Sequence, residues 1–183
     1  MSERLPLLVL GLGNVLLGDD GLGAAAVARL RDQFDCPREA RALDGGTLGL
    51  ALLPYVEDAE SVILVDAVRD ERPAGTFVRL DGEDVAPAVA TRLSPHQVGV
   101  SDLLEGARWR DRYPSRVVLL GLVPESIELG VGLSPAVAGA LDELIGCIVD
   151  EAADLGFVFL PKVMHDTVAP DRGLDVARLV GMS

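Results

Sequence analysis

Short apolar runs and segments with helical spacing alternate along almost the whole chain. Continuous apolar runs at Leu7–Leu10, Ser61–Asp66 and Val117–Val123 predict strands that are buried on both faces. Between and after them, Gly21–Phe34 and Pro135–Leu155 carry apolar residues at helical spacing. This alternation predicts an open α/β sheet, mostly parallel, with helices on both faces.

Weaker patterns fill the remaining segments. We predict a short strand at Arg41–Leu43, an apolar helix at Leu48–Val56 and a second helix at Gln97–Arg108. Gly75–Leu80 alternates between apolar and polar residues, which is typical of a strand near a sheet edge. The connection before it, Ala67–Ala74, is too short for a helical crossover, so this strand is predicted to be antiparallel.

Length and composition limit the chain to one domain. The 183 residues have a mean hydropathy of +0.33, which argues against extensive disorder. We expect one α/β domain over residues 1–160 and a loosely ordered tail over 161–183. No stretch reaches the roughly 18 apolar residues of a spanning helix, and no signal-peptide cleavage site follows the first apolar run. We therefore expect a cytoplasmic protein without membrane insertion.

The net charge of −13 narrows the range of partners. Such a surface repels nucleic-acid phosphates and anionic lipids, and it attracts metal ions or a basic partner. Cys36 and Cys147 lie far apart without metal-ligand spacing. We expect each to be a reduced packing residue, and neither to be a nucleophile.

The turn after the first strand resembles a dinucleotide-binding loop but departs from it. Gly11 and Gly13 fit the G-x-G-x-x-G pattern, whereas the third glycine is replaced by Leu16. Asp19 and Asp20 follow, and their charge would repel a pyrophosphate. A nucleotide-binding oxidoreductase stays an alternative, because an acid also lies near the end of the second strand.

Four residues that can bind a metal or transfer a proton lie near predicted strand ends. Asp20 follows the first strand, Asp44 follows the second, Asp66 closes the third, and His96 begins the helix after Leu93. Ligands of open α/β sheets bind beyond the carboxyl ends of the strands, so convergence there would create a site for a divalent transition metal. Ser94 and Gln97 form a predicted capping box that places His96 at the second helical position, where the helix dipole favours a neutral imidazole. The other histidine, His165, is expected to be incidental.

Each of these residues also has a purely structural interpretation. Asp19 and Asp20 would complement the start of a helix, and Asp66 would accept backbone amides at a strand end. Asp44 beside two glycines is typical of a turn, and His96 would be a residue of a helix cap. These interpretations stay open residue by residue, but they do not explain why all four follow strand ends.

Five motifs together resemble the hydrogenase maturation endopeptidases, which trim the large subunit of nickel–iron hydrogenases. They are GLGNVLLGDDGLG, LDGGT, VILVDAV, SPHQVG and GLVPESIELGVGLSP, in this order between Leu7 and Val158. The resemblance implies a three-layer α/β/α sandwich around a five-stranded sheet. Its implied strand order is 2-1-3-5-4, with the fourth strand antiparallel.

The resemblance also implies a nickel-recognition triad of Asp20, Asp66 and His96. Some relatives have Glu at the position of Asp20, so the side chain of this protein is one methylene shorter there. The aspartate of the LDGGT motif, Asp44, is implied to be important, and we expect it to act as the base. Nickel would arrive with the substrate, the large-subunit precursor, rather than being permanently bound. A non-catalytic, nickel-dependent docking or escort protein is the alternative.

Overall fold

The computed structural model describes residues 4–85 and 98–162. Within these residues the helices and strands, in chain order, are β1 (Leu5–Leu12), α1 (Leu22–Gln33), β2 (Phe34–Asp35), β3 (Ala40–Gly46), α2 (Leu53–Glu57), β4 (Ala59–Ala67), β5 (Phe77–Asp81), α3 (Val98–Trp109), β6 (Arg116–Leu122), α4 (Pro135–Asp154) and β7 (Leu160–Pro161). No helix among them is long and apolar enough to cross a bilayer.

Five strands form one sheet in the order β3-β1-β4-β6-β5. All neighbours are parallel except β5, which pairs with β6 in the antiparallel sense. β2 lies outside this sheet, so the five strands counted alone have the order 2-1-3-5-4, with the fourth antiparallel. Both predictions are confirmed. Gly11 on β1 lies opposite Asp44 on β3 and Val65 on β4, so these three strands end at one level. We call this end the carboxyl edge of the sheet.

Helices cover both faces of the sheet, which confirms the three-layer sandwich. On β4, Ile63 and Val65 pack in the layer under α1 and α4, whereas Val62 and Leu64 pack in the layer under α2 and α3. The middle of each central strand is therefore apolar at consecutive positions, because neither side of the sheet meets water there.

The backbone of α1 lies directly against the sheet at Gly23. A Cβ atom on Gly23 would lie 2.2 Å from the Leu12 nitrogen and 2.6 Å from the Val65 carbonyl oxygen. Any side chain at this position would force the helix away from β1 and β4. The glycine of the opening motif is thus required for helix–sheet packing, and α1 begins close to the end of β1.

One predicted helix was wrong. The expected helix over Leu48–Val56 is a 3₁₀ turn at Gly49–Leu52 followed by the five-residue α2. Gly49 has a positive φ of 52°, which regular helix does not permit. Pro161, the first residue of the predicted tail, pairs in β7 with Phe34 of β2, and the tail itself stays a prediction. Residues 163–183 lie outside the described range.

Both described chain ends lie at the edge of the sheet opposite the carboxyl edge. Leu5 begins β1, and β7 lies beside the end of α1, which runs back along the sheet. The backbone N–H of Lys162 donates to the Gln33 carbonyl oxygen at 2.7 Å, which holds the chain there.

Candidate functional site

Asp20 lies in a 3₁₀ turn, Gly18–Gly21, at the carboxyl edge of the sheet. Its side chain is buried, and its Oδ2 accepts the backbone N–H of Asn14 at 2.7 Å. The backbone at Asp20 passes so close to Gly13 that a Cβ on Gly13 would lie 1.8 Å from the Asp20 carbonyl oxygen. Gly13 also has a positive φ of 115°. The glycine of the motif therefore permits the turn that holds the Asp20 carboxylate against the end of β1.

Asp66 is the second to last residue of β4 and is fully buried. Side chains alternate along a strand, so Asp66 lies on the same face as Val62 and Leu64, the face covered by α3. In the sequence, His96 precedes the described start of α3 by two residues. His96 itself lies outside the described residues.

The structure brings Asp20 and Asp66 to one edge of two adjacent strands. Neighbouring strands are about 4.8 Å apart, and Gly11 on β1 lies level with Val65 on β4. Among residues 4–85 and 98–162, no three His, Cys, Asp or Glu side chains form a group that could hold a metal ion. The triad of Asp20, Asp66 and His96 therefore stays a prediction, because His96 is not described.

Asp44 lies near the end of β3 and is exposed to solvent. Its Oδ1 accepts the N–H of Gly46 at 3.0 Å, the contact of a tight turn, as its structural interpretation requires. The N–H of Gly13 in turn donates to the Gly46 carbonyl oxygen at 3.1 Å. The turn carrying Asp44 is thereby joined to the turn that carries Asp20. A role for Asp44 as a base stays a prediction.

Asp19 has a role that the sequence analysis missed. It is buried, and its two oxygens accept three backbone N–H groups from the segment between β6 and α4. The donors are Glu125 at 2.8 Å, Ser126 at 3.2 Å and Ser134 at 2.6 Å. The N–H of Asp19 donates to the Ser126 carbonyl oxygen at 3.0 Å. One carboxylate therefore fixes both ends of the loop formed by residues 123–134.

Most backbone amides of the first turn already have acceptors within the protein. Phosphate loops bind anions through unpaired backbone N–H groups. Here these groups donate to acceptors within the protein at seven positions: Gly13, Asn14, Leu16, Leu17, Gly18, Asp19 and Asp20. This pairing argues against the nucleotide-binding alternative.

Neither cysteine is an activated nucleophile. Loss of hydration raises the pKa of Cys36, and its Sγ donates to the Ala40 carbonyl oxygen at 3.2 Å. Burial and the nearby carboxylates of Glu143 and Asp150 raise the pKa of Cys147. Both are free thiols, as expected, but Cys36 is exposed, so its expected role as a packing residue was wrong.

Known proteins are similar to this chain in sequence. The family model described as hydrogenase maturation protease matches residues 24–151. The hydrogenase 2 maturation protease of Escherichia coli (strain K12) is 33% identical over 162 residues, which cover 87% of this chain and 99% of that protein. The hydrogenase expression/formation protein HupD of Rhodobacter capsulatus is 42% identical over 172 residues, which cover 92% of this chain and 82% of that protein.

A solved structure agrees with these sequence matches. The hydrogenase maturating endopeptidase HybD from E. coli has a TM-score of 0.83 to this structure at 32% identity. The matched region covers 86% of this chain and 98% of that one. The similarity therefore extends over most of this chain and almost all of that structure.

Proposed function

The chain belongs to the hydrogenase maturation protease family, and from this premise we propose its substrate and mechanism. As a member of that family it is a peptide hydrolase. The proposed substrate is the large-subunit precursor of a nickel–iron hydrogenase in the cytoplasm. The proposed reaction is removal of the precursor's C-terminal extension after nickel has been inserted.

The observation that carries this proposal is the pair of buried carboxylates at the carboxyl edge. Asp20 and Asp66 come from segments far apart in the chain, and adjacent strands place them at one edge. Carboxylate oxygens suit a divalent cation, and an imidazole nitrogen extends such a set to nickel. His96, two residues before α3 in the sequence, is the proposed third ligand.

Nickel is part of the substrate in this mechanism. It arrives bound to cysteine thiolates of the precursor, and Asp20, Asp66 and His96 supply further ligands. Without the cation, the carboxylates would repel one another and an acidic or electron-rich substrate group. Binding is therefore favoured only when the precursor carries its metal, which would prevent premature cleavage.

Asp44 is the proposed general base. Its exposed carboxylate is on a turn hydrogen-bonded to the Gly13 segment, so it lies beside the Asp20 turn. It would accept a proton from the water that attacks the scissile carbonyl carbon. The carbon–nitrogen bond then breaks, and the proton passes to the leaving amine.

A processing assay with two forms of the precursor tests the role of nickel. Purified nickel-loaded and nickel-free precursor are incubated separately with the protein, and their intact masses are measured. We expect only the nickel-loaded form to lose its extension. Equal cleavage of both forms would rule out nickel recognition. Stable binding without any loss of mass would support the escort alternative.

The same assay tests His96 against the other histidine of the chain. We expect His96→Ala to abolish processing while changing the melting temperature by only a few degrees. His165→Ala, the matched control, should process the precursor at the wild-type rate. A large loss of thermal stability in His96→Ala would instead favour its interpretation as a cap residue.

A further inference from the structure

Exposed apolar side chains are concentrated at the carboxyl edge. The described residues include ten large apolar side chains that are exposed to solvent. Six of them lie on the three loops that follow β1, β3 and β6: Val15, Leu16, Leu48, Leu50, Leu129 and Val131. We call these six residues the apolar rim. Exposed apolar surface on this scale commonly marks an interaction site.

Two of these loops are joined and enclose a groove. Leu17 and Gly130 form a parallel β-bridge, in which the Gly18 N–H donates to the Gly130 carbonyl oxygen at 2.8 Å. Beside this bridge is a groove of about 190 Å³, lined by Val15, Gly18, Gly21, Ala25, Val131, Gly132 and Leu133. Gly18 and Gly21 bound the 3₁₀ turn that carries Asp20, so the groove adjoins the backbone of that turn.

The three loops that carry the apolar rim have charged side chains of a single sign. Residues 12–21, 44–52 and 123–134 contain five carboxylates and no lysine, arginine or histidine. Asp19 and Asp20 are buried, whereas Asp44, Glu125 and Glu128 are exposed among the apolar side chains. The complementary surface is therefore apolar with lysine or arginine beside it.

We propose that the apolar rim binds an extended segment of the precursor in which apolar side chains adjoin lysine or arginine. This inference rests on the proposed function, because it takes the precursor as the partner. A Cβ on Gly132 would meet nothing within 4 Å, so the groove is open to the backbone of a bound segment at this position. The segment would be held at the rim while the scissile bond lies at Asp20 and Asp66.

Substitutions of equally exposed residues at the two edges of the sheet test this inference. Leu129 and Trp109 are both 86% exposed, but Trp109 ends α3 at the opposite edge. We expect Leu129→Glu and Val131→Glu to raise KM for the nickel-loaded precursor about tenfold and to change kcat less than twofold. Trp109→Glu should have wild-type kinetics.

A charge reversal tests the expected basic residues of the segment. Glu128→Lys should raise KM and reduce its dependence on salt concentration, because a rim carboxylate that attracts the precursor is lost. Glu39→Lys is the matched control, since Glu39 is exposed just before β3 at the other edge. Equal effects of the two reversals would exclude a local charge match.

Binding is also measured directly, so that the two proposals can fail separately. Biolayer interferometry with immobilised nickel-loaded precursor should show about tenfold weaker binding for Leu129→Glu than for Trp109→Glu. If the wild-type protein cuts the precursor but these variants bind equally, docking at the apolar rim is refuted. If binding differs but no cleavage occurs, the proposed function fails and docking stands. A wild-type dimer that Leu129→Glu dissociates, seen by sedimentation, would assign the rim to self-association and overturn the inference.

Discussion

Asp19 and Asp20 are neighbours in the chain, but their carboxylates have different contacts. Successive side chains of a 3₁₀ turn are about 120° apart, so the two cannot point in the same direction. Asp19 accepts amides from residues 106 to 115 positions further along the chain. Asp20 accepts an amide from Asn14, only six positions before it. Asp19 therefore fixes a distant loop, and Asp20 stays with the end of β1.

Replacing Asp19 should destabilise the fold. Asp19→Ala leaves three backbone N–H groups without their charged acceptor, and we expect the free energy of unfolding to fall by about 3 kcal/mol. Asp19→Asn keeps one oxygen and should lose less. Urea unfolding followed by circular dichroism measures the change. The control is Asp32→Ala on the exposed side of α1, with an expected change within about 0.5 kcal/mol. A loss as small as that of the control would contradict the role of Asp19.

The sequence reveals a residue's contacts only where they are local or follow from the sheet. Asp44 could be interpreted as a turn residue, because its partner Gly46 is two positions away. Asp20 and Asp66 could be placed at the carboxyl edge, because parallel strands end there. The partners of Asp19 lie in a different supersecondary unit, and no local pattern in the chain indicates that contact.

At the scale of elements, the order of the strands in the main sheet could be predicted, whereas the pairing of the two-residue strands β2 and β7 could not. The nine-residue connection between β4 and β5 is too short for a helical crossover, and β5 is antiparallel to its neighbour β6 as that length requires. The pairing of Phe34 with Pro161 unites two strands of two residues each. Such short strands have no periodicity, and only the completed fold brings them together.

The contact between α1 and the sheet makes a prediction at this scale. Gly23→Ala should lower the free energy of unfolding by more than about 2 kcal/mol, because the new Cβ would overlap backbone atoms of β1 and β4. Gly139→Ala is the matched control, since nothing lies within 4 Å of a Cβ on this exposed position of α4. In that helix alanine should stabilise the fold by about 0.5–1 kcal/mol. Chemical denaturation of both variants compares them. Stabilisation by both substitutions would show that α1 can shift without cost.

Across the whole molecule, acidic residues outnumber basic ones by 29 to 16. Such an excess destabilises a compact state through repulsion, and salt screens it. We expect the melting temperature to rise by a few degrees when NaCl increases from about 0.01 M to 0.3 M, since the Debye length falls below about 10 Å. Differential scanning fluorimetry measures this change.

Salt also weakens attractive ion pairs, and this effect would lower the melting temperature, whereas screening of the net charge would raise it. Arg79 donates to Glu151 at 2.9 Å and 3.1 Å, and the Glu151 side chain is largely buried, so salt weakens this pair little. The exposed pair of Arg29 and Asp142 is weakened more. A melting temperature that falls with salt would show that such pairs outweigh the overall repulsion.

The position of the chain ends decides how this protein can be handled. Leu5 and Lys162 both lie at the edge opposite the candidate site. An affinity tag, a fluorescent fusion or a sensor surface joined beyond either residue would start from the far side of the molecule. The carboxyl edge would then face away from the attached group, and a large protein partner could approach that edge of an immobilised molecule unobstructed.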